Sequence, residues 1–127
     1  MDTNEFLKLY RKGIKSFKHF NLIGIELMNL DLHKVNLSHC SVVKANFSGS
    51  KLCRANLEGT DLSYANLSDA DLHQANLRHA NLKGADLRRA DLRGADLRGA
   101  NLSWAKVQGV LFEGALMANV NLYNSQK

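Results

Sequence analysis

At 127 residues the chain is the size of one ordinary domain. No signal or transit peptide is expected from its sequence, and it has no apolar run near the roughly eighteen residues that a membrane-crossing helix requires. Its 17 Lys and Arg against 12 Asp and Glu give a formal net charge of +5, which disfavours roles that need a strongly acidic surface and permits attraction to acidic partners. Proline is absent and no Gly/Ser linker divides the chain, so residues 1–127 read as a single domain with the cytoplasm as the expected compartment.

Residues 2–13 are predicted to form an amphipathic helix. Asp2 followed three residues later by Glu5 reads as a capping box, Gly13 as a left-handed stop, and Lys8, Arg11 and Lys12 lie toward the end where cations favour the helix dipole. Phe6, Leu7 and Leu9 or Tyr10 share one broad side. Residues 1–19 are thus expected to cap the rest of the chain, with Phe17 as the first interior residue.

From Phe20 to Asn124 the sequence divides without insertion or deletion into twenty-one pentads: a small residue, Asn or Asp, Leu, then two variable positions, as in Ala75-Asn76-Leu77-Arg78-His79. Residues five apart lie about 140° apart around a helix and on opposite faces of a flat strand, so neither element would gather these leucines into one core. They meet if the chain turns a corner at every pentad. Four pentads then close a square coil of about twenty residues, and about five coils stack at roughly 4.8 Å, leaving residues 125–127 as a tail. The central residues, Leu22 through Leu122, are expected inside, each stabilising the stack by about 1.5–3 kcal/mol when buried. Small residues such as Ala70 to Ala105 sit beside them. Toward the ends this small slot holds Phe20, Ile25, Leu30, Val35, Val110 and Val120, which are expected to fill interior volume there.

The run Ala65-Asn66-Leu67 through Ala100-Asn101-Leu102 resembles the pentapeptide-repeat family, whose pattern is A(D/N)LXX. The resemblance covers residues 20–124 and implies a β fold, a right-handed quadrilateral parallel β-helix or β-solenoid. The opening Leu9-Tyr10-Arg11-Lys12-Gly13, followed by Phe17, is similar to the N-terminal segment of many cyanobacterial members. Lys51, Lys106, Leu111 and Leu116 stand where the pattern has Asn or Asp, which makes the last coil less regular. The resemblance implies no catalytic residue and no cofactor. Some members resemble duplex DNA in size and charge and protect DNA gyrase from quinolones; the basic charge and short stack disfavour that role here.

With four pentads per coil, residues twenty apart form columns on four outer faces. One column contains His33, Cys53 and His73, residue types that bind zinc. Outward columns diverge and nothing marks a fourth ligand, so three solvated side chains are expected and no metal is assigned. Cys40 points inward and Cys53 outward, on opposite sides, so both are expected to be free thiols. A second column reads Gly24, Lys44, Tyr64, Gly84, Trp104 and Asn124, with Tyr123 one position away. It forms either a shallow recognition groove between two aromatics or a place where both rings lie flat over the glycine and shield backbone.

Arg78, Lys83, Arg88, Arg89, Arg93 and Arg98 fall within little more than one coil. Consecutive pentads point to different sides, so these residues form a girdle, with Asp86, Asp91 and Asp96 interleaved and able to pair with them. Nucleic-acid binding usually needs a coherent basic face and is not favoured. The C-terminal coil concentrates Leu111, Leu116, Met117 and Val120. Two chains pair end to end there as a homodimer, or Leu111 and Leu116 fold over and close the end within one monomer.

A filled interior and flat faces leave no deep pocket of the kind catalysis prefers, and no His, nucleophile and carboxylate set stands out. The expected function is a non-enzymatic scaffold or protein-interaction module with an unidentified protein partner and no membrane partner. The alternative is a binder of nucleic acid or an acidic protein through residues 78–98.

Overall fold

A left-handed residue recurs at every fifth position, and the chain turns there. In the computed structural model, which describes residues 1–127, His19, Asp69, His79 and Trp104 all have positive φ, near 60°. Each sits third in a four-residue turn closed by a backbone bond, such as the Ala70 N–H donating to the Leu67 carbonyl at 3.1 Å, the arrangement that a type II turn demands. Between corners the chain pairs with the coils before and after it. Asn46 bridges Asn66 and Asn66 bridges Asp86 in parallel register, twenty residues apart.

One pentad accounts for all five of its N–H groups. The Ala65 N–H closes a turn on Leu62, that of Asn66 donates back to Ala45, and those of Leu67 and Asp69 donate forward to Asp86 and Arg88. The fourth, that of Ser68, has no backbone partner and donates instead to Oδ1 of Asn66 at 3.0 Å. This is why the second position is Asn or Asp: a short side-chain acceptor satisfies the amide two residues on. The same bond recurs from Asn21 to Asn121.

The interior follows the predicted register from Leu22 to Leu102, where every central residue is buried; the neighbouring slots take Ile25, Leu30 and Val35 in the first coil and Ala, Cys40, Ser50 or Thr60 after it, Leu30 only half-buried. The three polar occupants are satisfied in place. The Cys40 thiol donates to the Phe17 carbonyl, the Ser50 hydroxyl to Phe47 and the Thr60 hydroxyl to Leu37, at 2.7, 2.6 and 2.8 Å. Burial pushes the Cys40 thiol up from its ordinary range. Both cysteines are free.

The N-terminal helix α1 spans Thr3–Arg11, with the Asp2 carboxylate accepting from the Glu5 N–H at 2.9 Å and Gly13 left-handed beyond its end. Phe6 is fully buried against Phe17, ring centroids 4.2 Å apart. The Thr3 hydroxyl both donates to the Glu26 carbonyl and accepts from its N–H, and the Tyr10 hydroxyl donates to the Asp31 carbonyl. The helix thus supplies both an apolar plug and polar partners for the coil edge. Bridging begins one pentad before the sequence repeat, at Ser16 with Asn36.

Four expectations need correction. The β class is realised as isolated bridges, one per pentad, without an extended strand, because a corner every five residues leaves no room for one. Phe20 is 44% exposed and does not fill the interior; Phe6 from α1 occupies that end. Leu122 is 37% exposed, and Phe112 and Met117 are only half-buried, lining an open apolar hollow of about 520 Å³ with Val107 and Leu122. Leu111 and Leu116 do not close that end. They hold the second pentad position, whose backbone bridges Asp91 and Asp96, so both are exposed on the outer wall; Val120 is half-buried against the core.

Two substitutions test this arrangement. Leu77→Asp should abolish the cooperative thermal transition, since an unpaired buried carboxylate costs several kcal/mol, while Arg88→Ala should barely move it. Asn76→Ala should cost about 1 kcal/mol in denaturant unfolding by stranding the Arg78 N–H, whereas Asn76→Asp should be close to neutral; equal losses in both would refute the side-chain acceptor role.

Candidate functional site

The columns bring three of the exposed aromatics, Tyr64, Trp104 and Tyr123, to one face. Tyr64 stands in the left-handed corner position, from which its ring lies across Gly84 of the next coil. A Cβ at Gly84 would come within 2.5 Å of the Tyr64 ring, and Gly84 itself has φ +67°. The three atoms nearest that Cβ all belong to Tyr64, and Trp104 stands on the other side of a shared cleft. Its ring meets Tyr123 edge to face, centroids 6.2 Å apart. The two arrangements leave a cleft of about 410 Å³ lined by Tyr64, Lys83, Gly84 and Trp104. Tyr64, Trp104 and Tyr123 are 55, 54 and 66% exposed, so the shielding alternative describes Tyr64 only. Asp61, a carboxylate of this face, accepts from the Ser63 N–H and hydroxyl, and Lys83 is the charged group at the cleft.

The same ring-over-glycine pairing recurs elsewhere, with His39 across Gly59 and His79 across Gly99. A planar side chain in the corner position followed twenty residues later by glycine is its sequence signal. It was legible as a column but not as a contact.

The arginines are spread around the stack and largely occupied. Arg88, Arg93 and Arg98 each place two guanidinium hydrogen bonds on the carboxylate two residues earlier, Asp86, Asp91 and Asp96, at 2.7–2.9 Å. Arg89 reaches back one coil to Asp69. Those guanidinium bonds hold the four carboxyls below the ordinary carboxylate range, against the opposing effect of partial burial. Arg78 and Lys83 stand outside these ion pairs.

The His33, Cys53 and His73 column does not assemble as three. The His33 ring turns to Asp31, Nδ1 to Oδ1 2.8 Å, and stands apart from a tighter group. Ligand atoms of Cys53, Asp71 and His73 all lie within 4.8 Å of one another, each residue half-buried. Sequence reasoning missed Asp71. The signal available was the Asp-Leu-His spacing, which puts second and fourth pentad positions on one wall: His73 Nδ1 and Asp71 Oδ1 are 2.6 Å apart.

The family profile described as pentapeptide repeats matches in eight copies over residues 16–49, 31–69, 43–78, 65–103 and 95–126. The crystal structure of the pentapeptide repeat protein Rfr23 from the cyanobacterium Cyanothece 51142 is similar at TM-score 0.91 and 29% identity, over 98% of this chain and 97% of that one. A pentapeptide repeat protein of the Arabidopsis thaliana thylakoid lumen is similar at TM-score 0.63 and 30% identity, over 76% of this chain and 61% of that one. QnrB1, a plasmid-mediated fluoroquinolone resistance protein, is similar in fold alone, at TM-score 0.66 and 22% identity over 87% of this chain and 64% of that one. A search of curated proteins found no match.

The ion pairs give a pH dependence of known sign. Carboxyls whose folded pKa is lowered contribute stability that is present above their unfolded value, about 3.9, and lost as pH falls through the folded value. Melting temperature should therefore fall on acidification below about pH 4. It should fall less in the triple variant Asp86→Asn/Asp91→Asn/Asp96→Asn, because Asn keeps the turn acceptor and removes the charge. Superimposable pH curves for the two proteins would refute a stabilising role for the pairs.

Proposed function

This chain belongs to the pentapeptide-repeat family, whose right-handed quadrilateral β-helix it shares, and on that premise we propose that it is a non-enzymatic scaffold that holds a partner protein against its aromatic face. Pentapeptide-repeat proteins are generally structural or interaction modules. A stack of about five coils, roughly 25 Å long at the spacing of paired strands, provides a straight, stiff wall for such a contact.

The observation that carries this reading is the group of Tyr64, Trp104 and Tyr123, exposed on one face, the first two lining a cleft and Tyr123 packing edge to face on Trp104. Aromatic side chains combine large apolar area with few rotatable bonds, and interface hot spots are enriched in Tyr and Trp. The rings are held by packing on Gly84 and on each other, so binding needs little further ordering. Lys83 at the cleft suits a carboxylate on the partner. The arginine girdle supports binding less well, because Arg88, Arg89, Arg93 and Arg98 already face carboxylates.

The test is a tagged pull-down from native cytosol at low and moderate salt. Trp104→Ala should weaken capture of a specific partner about tenfold or more, as loss of an interface hot spot does. Gly84→Ala, which displaces the Tyr64 ring, should also weaken it, and Arg88→Ala/Arg89→Ala should not. A partner retained by Trp104→Ala but released by salt or by the arginine variant would overturn this reading in favour of charge-driven binding.

A further inference from the structure

On a different wall from the aromatics, Asp71 and His73 share one pentad and Cys53 comes from the coil before, and their ligand atoms gather within 4.8 Å. We propose that these three side chains bind a zinc ion, with water in the fourth position. The donor set is sulfur, nitrogen and oxygen, which suits a borderline-soft ion without geometric preference of its own. Ligand atoms around tetrahedral zinc stand about 3.3–3.6 Å apart, so the group needs small side-chain rotations and no backbone movement. His73 Nδ1 and Asp71 Oδ1, at 2.6 Å, must part by less than about 1 Å.

The proton balance is simple. Zinc replaces the proton between His73 Nδ1 and Asp71, the imidazole carries that proton on Nε2 instead, and the Cys53 thiol releases its proton to solvent on becoming a thiolate. Neighbouring cations are mostly engaged. Arg93 is held by Asp91 at 2.7 and 2.9 Å and Arg54 by the Gln74 side chain at 2.8 Å; Lys51, in the pentad of Cys53, is the cation the site must tolerate. Asp71 also accepts from the His73 N–H, so the turn that shapes the pentad holds the carboxylate in place for the ion. Because the ligands span two coils, the ion ties one coil to the next on this wall.

The experiment uses the full chain with cobalt(II) as a spectroscopic stand-in, then zinc chloride, in a non-chelating buffer. Wild type should give a near-ultraviolet thiolate-to-cobalt band, retain about one zinc per chain through desalting, and show alkylation of Cys53 slowed about tenfold or more by zinc. Cys53→Ser should lose the band, and His73→Ala and Asp71→Asn should each lose zinc retention. All three should keep the wild-type melting transition without metal, since these side chains lie outside the core, and Asp71→Asn preserves the turn acceptor if another variant folds poorly. No band, a band that survives Cys53→Ser, or zinc retention unchanged in both His73→Ala and Asp71→Asn would overturn the site.

Discussion

The structure depends on backbone hydrogen bonding between residues twenty apart. Each pentad donates once to the coil behind it and twice to the coil ahead, as Asn66, Leu67 and Asp69 do, so every coil is both template and lid for its neighbours. Buried N–H groups left unpaired would be costly, and this pairing together with the turn bond at each corner leaves one per pentad to be satisfied by other means. The Asn or Asp side chain meets that need. Helix α1 belongs to the same logic, because the Thr3 hydroxyl presents to Glu26 the donor and acceptor that a preceding coil would have offered.

A division of labour within the pentad results. Three positions are committed, to the small interior slot, the turn acceptor and the central apolar residue. Two remain for the surface. The second of these must also accept a left-handed backbone, which explains the frequency of Gly, Asn and His there and makes an exposed Trp104 or Tyr64 costly enough to ask for a reason. Surface chemistry is therefore written in few residues and read down columns. The Asp86, Asp91 and Asp96 carboxylates have two duties, accepting the turn amide and the guanidinium of the same arginine.

This division also sets what could be read from the sequence. Interior residues such as Leu77 and Ala75 were legible because burial imposes the same demand at every repeat, and the columns followed from the twenty-residue coil. The role of Asn66 was legible as a pattern but not as a hydrogen bond, since nothing in the period says which amide is left over. Phe20 was misplaced because the period alone cannot show that a helix residue, Phe6, fills the interior at that end. Asp71 was missed because outward columns were followed vertically, from His33 to Cys53 to His73, whereas the closest contact on that wall runs along the chain within one pentad. Side-chain rotamers decide such contacts, and periodicity carries no information about them.

The twenty-residue register between corner residues and glycines has an evolutionary consequence. Removing one regular pentad between Tyr64 and Gly84, such as residues 75–79, would leave the hydrogen-bond pattern and the core register intact, since each regular pentad offers the same groups. It would nevertheless carry everything downstream around by a quarter turn. Gly84 would pass from beneath Tyr64, and Trp104 would move to the neighbouring wall. The fold is thus indifferent to deletions in steps of five residues, while any surface composed across coils survives only steps of twenty, so the spacing between functional columns can be conserved even where the walls themselves drift freely in sequence.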